Sequence, residues 1–215
     1  MSSHDLFDIG LAERAHLRTL PPDKAIYEAA AARDGVLSHA QLVSIGLSSA
    51  AISRRTARKV LHPRHRGVYA VGRLDLTLRG RLRAALLRYG RAAALSHRTA
   101  AAERALLRWR GRIELTVTGR PDPPAKSSAI DLHYTRGWRP GEVTLVHGLP
   151  CTSVARTVAD LAGAGRPKDF TRAWDAADAQ LLLDVGALRE QIVRGRPGAP
   201  VLRTKLARYG RSAAH

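Results

Sequence analysis

Cysteine occurs once in the 215 residues, at Cys151, which excludes an intramolecular disulfide framework and suits a reducing cytoplasm. Aromatic residues make up only 5% of the chain, so its cores must be built from Ala, Leu and Val. No run approaches the roughly 18 consecutive apolar residues of a membrane-spanning helix. Asp5, Asp8 and Glu13 interrupt any basic-then-apolar leader at the N-terminus. The expectation is a soluble, cytoplasmic protein with no membrane partner. Acid is scarcest between Ser48 and Arg91, where twelve of the 36 Lys and Arg residues meet a single carboxylate, Asp75.

That stretch holds +11 of a formal net charge of +18. Such clustering costs self-repulsion, and duplex DNA, with one phosphate per roughly 1.7 Å of axis, is the partner that most readily offsets it. Elsewhere the charge is uneven: −2 over residues 1–47, +3 over 92–191, and +6 over 192–215, which contains no acid. The field therefore has two foci. The plainer reading of any single Arg is solvation of a helix face, so the clustering carries more weight than the abundance. At 45% apolar and 25% charged, the composition is that of a globular chain with room for one large domain or two small ones.

Along the chain, residues 1–21 have modest helical spacing stopped by Pro21-Pro22 and read as an arm or a loosely docked helix. Asp23 is placed to cap a helix that ends at Asp34-Gly35. Ser38, with Gln41 three residues on, forms a capping-box pattern before Leu42, Val43 and Ile45, and Gly46 stops that helix. Ser48 then caps a third helix bearing "SRRTARK". Two short helices joined by a tight glycine turn make the helix-turn-helix pattern. At about 100° per residue with Ile52 inward, Ala50, Ser53, Arg54, Ala57 and Arg58 face outward. Small residues let a helix approach base edges, and Arg takes guanine bidentately or binds phosphate. "VLHPRHRGVYAVG", Val60 to Gly72, alternates as a hairpin with Arg64, His65 and Arg66 at its tip, the pattern of a wing laid on a phosphate backbone or minor groove.

From Asp75 onward longer elements are expected: helices over 76–89 and 98–109, strands in "RIELTVTG", "AIDLHYTR" and "EVTLVHG", and a turn-rich linker "PDPPAKSS". A helix capped by Ser153 follows, then one over 168–179 and two basic segments, 185–194 and 200–209. The expected organisation is an arm at 1–21, a winged helix-turn-helix at 22–74 and an α+β domain at 75–215. The expected class is α+β.

The ordered set "GVLSHAQLVSIGLSSAAISRR", "HRGVYAVG", "ALSHRTAAA", "IELTV" and "LPCTSVARTVADLA" resembles AbiEi-type antitoxins of actinobacteria, transcriptional regulators of type IV toxin–antitoxin systems, over about residues 22 to 209. The resemblance implies a winged helix that binds its own operon's promoter, followed by an antitoxin-like mixed α/β domain. It also implies a nucleotidyltransferase-like toxin as a partner. By position, the DNA-contacting helix spans Ser48 to Lys59 and the wing His62 to Val71. A glycine common between those two elements in the family is replaced here by Lys59-Val60, and the His-Gly common after the Ser-His motif is missing from "AAERALLRW". Many longer relatives also carry a C-terminal nuclease-like domain, and none is expected within these 215 residues.

Enzymatic readings find little support. Glu114-Leu115-Thr116 and Asp131-Leu132-His133 lack the lysine of a nuclease strand pair, and no Gly-Ser with paired acids suggests a nucleotidyltransferase. The nine histidines are scattered without zinc spacing. Ser96-His97 is not a nucleophile–base pair by adjacency alone, and Ser96 reads better as a helix cap. Arg156 and Asp160, four apart on a helix, read as a helix cap and surface pair, with a domain-interface clamp as the alternative. Trp109, Trp138 and Trp174 read as core or interface anchors, and Cys151 as buried. No catalytic residue, metal or cofactor is expected. The candidate DNA-contacting residues are Ser48, Ser49, Ser53, Arg54, Arg55, Arg58, Lys59, His62, Arg64, His65 and Arg66. The leading expectation is a sequence-specific, autoregulatory repressor of antitoxin type. Two alternatives remain: an antitoxin acting mainly through a toxin or its product, and RNA binding through the basic segment 194–211. Oligomeric state is left open.

Overall fold

The computed structural model describes residues 6–119 and 129–212, so the "PDPPAKSS" segment lies outside the described residues. The protein is a mixed α+β chain that divides into two units, Met1–Ala93 and Ala94–His215.

In the first unit, helices α1 (Leu11–Thr19) and α2 (Pro22–Ala31) precede strand β1 (Val36–Ser38). Helices α3 (His39–Ser44) and α4 (Ser49–Ala57), strands β2 (Leu61–His65) and β3 (Val68–Val71), and helix α5 (Leu78–Tyr89) follow. The strands form an antiparallel sheet in the order β1-β3-β2. Pro63 therefore sits on an edge strand, where its missing N–H removes no central ladder bond. The Ser38 capping box is complete: its Oγ accepts the Gln41 N–H (3.1 Å), and Gln41 Oε1 accepts the Ser38 N–H (2.8 Å). Asp23 does not cap α2. The helix starts with Pro22 behind Pro21, and Asp23 stands one residue inside it.

The N-terminal segment is not a loose arm. Ile9 and Leu17 join Ile26, Leu42, Ile52 and Leu61 in one buried cluster, and Gln41 Nε2 donates to the Leu6 carbonyl (3.0 Å). Arg33, at 3% exposure, donates to both oxygens of Glu13 (2.6 and 2.7 Å), locking α1 against the end of α2. The unit boundary also falls later than the expected 74/75. Helix α5 packs on β1, β2 and β3, and Val36, Val68 and Ala84 share a buried cluster. Arg79 Nε and Arg83 Nε clamp the two oxygens of Asp34 at 3.1 and 2.8 Å. The approach is close enough that a Cβ at Gly80 would lie 2.7 Å from the Asp34 carbonyl oxygen.

In the second unit, β4 (Ala93–Leu95), β5 (Ile113–Thr118), β6 (Ile130–Thr135), β7 (Val143–Val146) and β8 (Leu149–Thr152) form a sheet in the order β6-β5-β4-β8-β7. The β5/β6 and β4/β8 pairs are parallel and the β7/β8 pair is antiparallel. Strands β4 and β8 are new relative to the sequence expectation. Every residue of both is buried, so neither has the alternation that marks a strand. Helix α6 (His97–Glu103) is shorter than expected, and Ala105, at φ 57°, ends its last turn.

Helices α7 (Val154–Gly163), α8 (Pro167–Ala179), α9 (Val185–Glu190) and α10 (Ala199–Ser212) build a second core around Trp174. Trp174 meets Tyr209 edge-on at 5.6 Å. Cys151, fully buried on β8, has its thiol pushed up to about 12 by desolvation, as a structural cysteine should.

The structure departs from the sequence reading at Ser96 and at Arg156–Asp160. Ser96 precedes α6 but makes no side-chain cap; its Oγ lies 3.0 Å from His97 Nδ1, and Glu114 Oε2 accepts the Arg98 N–H instead (2.8 Å). Arg156–Asp160 is not a surface pair, since both side chains are 7% exposed. Arg156 Nη1 also reaches Glu142 Oε2 (3.0 Å), with its guanidinium over the Trp138 ring.

Two outcomes follow from these buried groups. Glu13→Ala strands the Arg33 charge and is expected to lower unfolding free energy by on the order of 2–3 kcal/mol in urea titrations; a loss within error would mean α1 is not held by this pair. His97, 8% exposed, is stacked on His133 at 3.6 Å, and burial followed by the neighbouring charges takes its pKa from 6.5 to about 3. The unfolded chain thus takes up the proton first. Its contribution to stability is intact above 6.5 and is lost as pH falls from 6.5 toward 3. His97→Asn, which tolerates the φ of 49° at this position, should flatten that acid-side decline; an unchanged slope would remove His97 from the account.

Candidate nucleic-acid interface

The α4 helix is capped at both ends by its own sequence. Ser48 Oγ accepts the Ala51 N–H (3.2 Å), so this hydroxyl is already engaged. At the other end the Lys59 N–H bonds the Thr56 carbonyl (3.1 Å) and the Val60 N–H the Arg55 carbonyl (2.9 Å), the paired bonds of a Schellman stop. Lys59 takes φ 58°, the left-handed conformation that glycine adopts most easily. The helix-to-hairpin turn is therefore made with a lysine and places a cation where the chain leaves α4.

Ile52 is buried, and Ala50, Ser53, Arg54, Ala57 and Arg58 are exposed, so the helical phase read from the sequence is the phase adopted. Ser49 is also exposed at the start of the helix. Arg55 points elsewhere. Its Nε donates to Asp23 Oδ1 (2.6 Å) and its Nη1 to the Ala51 carbonyl (3.2 Å). With its side chain only 18% exposed, Arg55 ties α4 to the start of α2.

On the hairpin, the ladder slips between Pro63 and His65, which leaves Arg64 at a bulge. Arg64 and Arg66 are exposed, and the turn itself is Arg66-Gly67, with Gly67 at φ 72°. His62 is half-buried opposite Ala70. His65 is half-buried too, and desolvation, then Arg88 and Arg64, lower its pKa, so it stays a neutral hydrogen-bonding group at neutral pH.

A groove runs between α4 and the hairpin, with Ser53, Thr56 and Ala57 on one side and Arg64, His65 and Tyr69 on the other. The structure thus gathers Ser53, Arg64, His65 and Arg66 along one groove, with Arg54 and Arg58 on the exposed side of the same helix. It turns Arg55 away. Thr56 and Tyr69 are the additions that sequence reasoning missed. Tyr69 has the strand parity opposite to buried Val68 and Ala70, which was the available signal.

Among the described residues no group of three or more His, Cys, Asp or Glu side chains is arranged to hold a metal ion. No helix among them is long and apolar enough to cross a membrane. No family model matches the chain, and no curated protein matches it. The fold is similar to the crystal structure of the Rv2827c protein from Mycobacterium tuberculosis, with a TM-score of 0.56 over 87% of this chain and 76% of that one; at 18% identity the likeness is one of fold alone.

Proposed function

We propose that the first unit is a winged helix-turn-helix and that the protein is a sequence-specific, double-stranded DNA-binding repressor. In this reading α3 and α4 are the helix pair, α4 enters the major groove, and β2–β3 is the wing. The observation that carries it is the exposed Arg54/Arg58 face of α4, with no carboxylate partner among the described residues, beside a hairpin that bears Arg64 and Arg66. A helix of this kind offers cations to phosphate and to guanine edges, and its small Ser53 and Ala57 let the backbone come close. Ser49 and Lys59, at the two ends of α4, are placed to position the helix on phosphates. The resemblance to AbiEi-type antitoxins extends the proposal to autoregulation of an operon in the cytoplasm, with a nucleotidyltransferase-like toxin as the second partner. The reading assigns the chain no catalytic step.

Binding to a duplex from the gene's own upstream region, measured by fluorescence anisotropy against a scrambled duplex at two salt concentrations, tests the proposal. Affinity should fall with log salt at about −0.9 per phosphate neutralised. Arg54→Ala with Arg58→Ala should cost roughly 100-fold or more on the upstream duplex and much less on the scrambled one, since a bidentate base contact is worth ~1–3 kcal/mol. Arg55→Ala should cost under about threefold, because its head group is committed to Asp23. Should the double variant bind both duplexes like wild type, α4 is not the reader. Lys59→Gly separates fold from charge. It relieves about 1 kcal/mol of left-handed strain and should raise the melting temperature while weakening binding to both duplexes equally. A lowered melting temperature would contradict the turn assignment.

A further inference from the structure

The second unit contains a cleft of about 990 Å³ that DNA recognition by α4 does not use. Thr116 on β5 and His133 on β6 line it from the sheet, Arg156 and Asp160 from α7, and the Arg194–Gly198 segment from the other side. Among the described residues, three polar atoms of this lining have no hydrogen-bond partner: Thr116 Oγ1, His133 Nε2 and Asp160 Oδ2. Thr116 is 1% exposed and the Asp160 side chain 7%, so neither is simply solvated. The carboxylate oxygen nearest His133 Nε2, Glu114 Oε1, is 4.0 Å away, too far for a hydrogen bond. Folded chains rarely leave buried polar atoms unmatched, and several in one cleft mark a surface that completes its bonding with something outside the chain.

Charge narrows what that something is. Among the described residues five arginines line the cleft, Arg136, Arg139, Arg156, Arg194 and Arg196, against two acids, Glu142 and Asp160. Those acids are engaged: Glu142 with Arg156 (3.0 Å) and Arg196 (3.3 Å), Asp160 with Arg156 (2.8 Å). Gln191 Oε1 accepts a further bond from Arg196. The excess positive charge therefore lies at the exposed rim, on Arg136, Arg194 and Arg139, the last of which also donates to the Glu190 carbonyl (3.1 Å). The stacked imidazoles of His97 and His133 add little charge, because burial lowers the pKa of both. An anion at the rim and a neutral hydrogen-bonding body at the wall satisfy both observations at once.

We propose that this cleft binds a phosphate-bearing small molecule of nucleotide size, with its phosphate on Arg136 and Arg194 and its polar body on Thr116, His133 and Asp160. A volume near 990 Å³ accommodates a nucleoside di- or triphosphate. The inference concerns the second unit alone and stands or falls independently of the DNA-binding reading.

Isothermal titration of the full chain with ATP, GTP, CTP, UTP and inorganic phosphate, each to about 5 mM, tests it, since a metabolite site should saturate well within that range. At least one nucleotide should bind at a single site and more tightly than inorganic phosphate. Arg136→Ala with Arg194→Ala, both on the surface, should weaken that binding tenfold or more, and Thr116→Val severalfold with an unchanged circular dichroism spectrum. Arg54→Ala with Arg58→Ala serves as the control and should leave it unchanged. The proposal is overturned if no probe saturates, if the rim double variant binds like wild type, or if the α4 control abolishes binding, which would mean general polyanion attraction. Equal affinity for phosphate and every nucleotide would remove the assignment of Thr116, His133 and Asp160 as a body-recognition wall.

Discussion

Four acids of the first unit are committed to cations other than those on the outward face of α4. Asp23 holds Arg55, Asp34 holds Arg79 and Arg83, Glu13 holds Arg33, and Asp8 holds Arg91. Each pair also ties one element to another: α4 to α2, α5 to the end of α2, and α1 to α2. The same ion pairs thus do two things. They fix the scaffold under α4, and they engage four carboxylates with partners other than Arg54 and Arg58. Exposed pairs such as Arg91–Asp8 add little stability. Arg33–Glu13 is different, because a guanidinium 3% exposed has no solvent to fall back on.

This sorting explains why the charge cluster between Ser48 and Arg91 could be read from the sequence while its division could not. Local signals set the α4 face: a Ser48 cap, one inward Ile52, and a 3.6-residue period that leaves Arg54 and Arg58 outside. Nothing local separates Arg55 from Arg54. Arg55 is withdrawn by Asp23, thirty-two residues earlier in the chain, and that pairing exists only once α2 packs on α4. The docking of the N-terminal segment is only partly legible for a related reason. Its apolar residues are few, but Ile9 and Leu17 enter a core assembled mostly from residues beyond 25.

The second unit shows where sequence patterns fail most. Helices α7 and α8 are visible in their periodicity, as are β5 and β6 in their composition. Strands β4 and β8 are buried along their whole length, so they carry apolar runs too short to distinguish from the ends of neighbouring helices. Arg156 and Asp160 have the spacing of a solvated pair. What places them inside is Glu142, which enters from the loop before β7 and shares its carboxylate between Arg156 and Arg196. Burying one arginine requires burying its partners, and the result is a network joining that loop, α7 and the segment before α10. The backbone there is correspondingly tight: a Cβ on Gly198 would lie 2.4 Å from the Ala159 carbonyl oxygen.

Two basic foci of comparable appearance in the sequence therefore have different physical characters. In the first, Arg54 and Arg58 share one helix face and Arg64 stands across an adjoining groove, so their fields add in one direction. In the second, the charges of residues 192–215 disperse. Arg194 and Arg196 line the cleft, and Arg196 is partly neutralised by Glu142. Lys205 lies over the Trp174 ring and 3.7 Å from Asp175. Of α10's other described cations, Arg203 and Arg208 are exposed. A long polyanion such as RNA gains from cations spaced along one track, whereas a compact anion gains from cations converging on one opening. The C-terminal basic residues are arranged more for the second kind of ligand than for the first, and this is why the cleft, rather than α10, is the part of the second unit to which we assign a binding role.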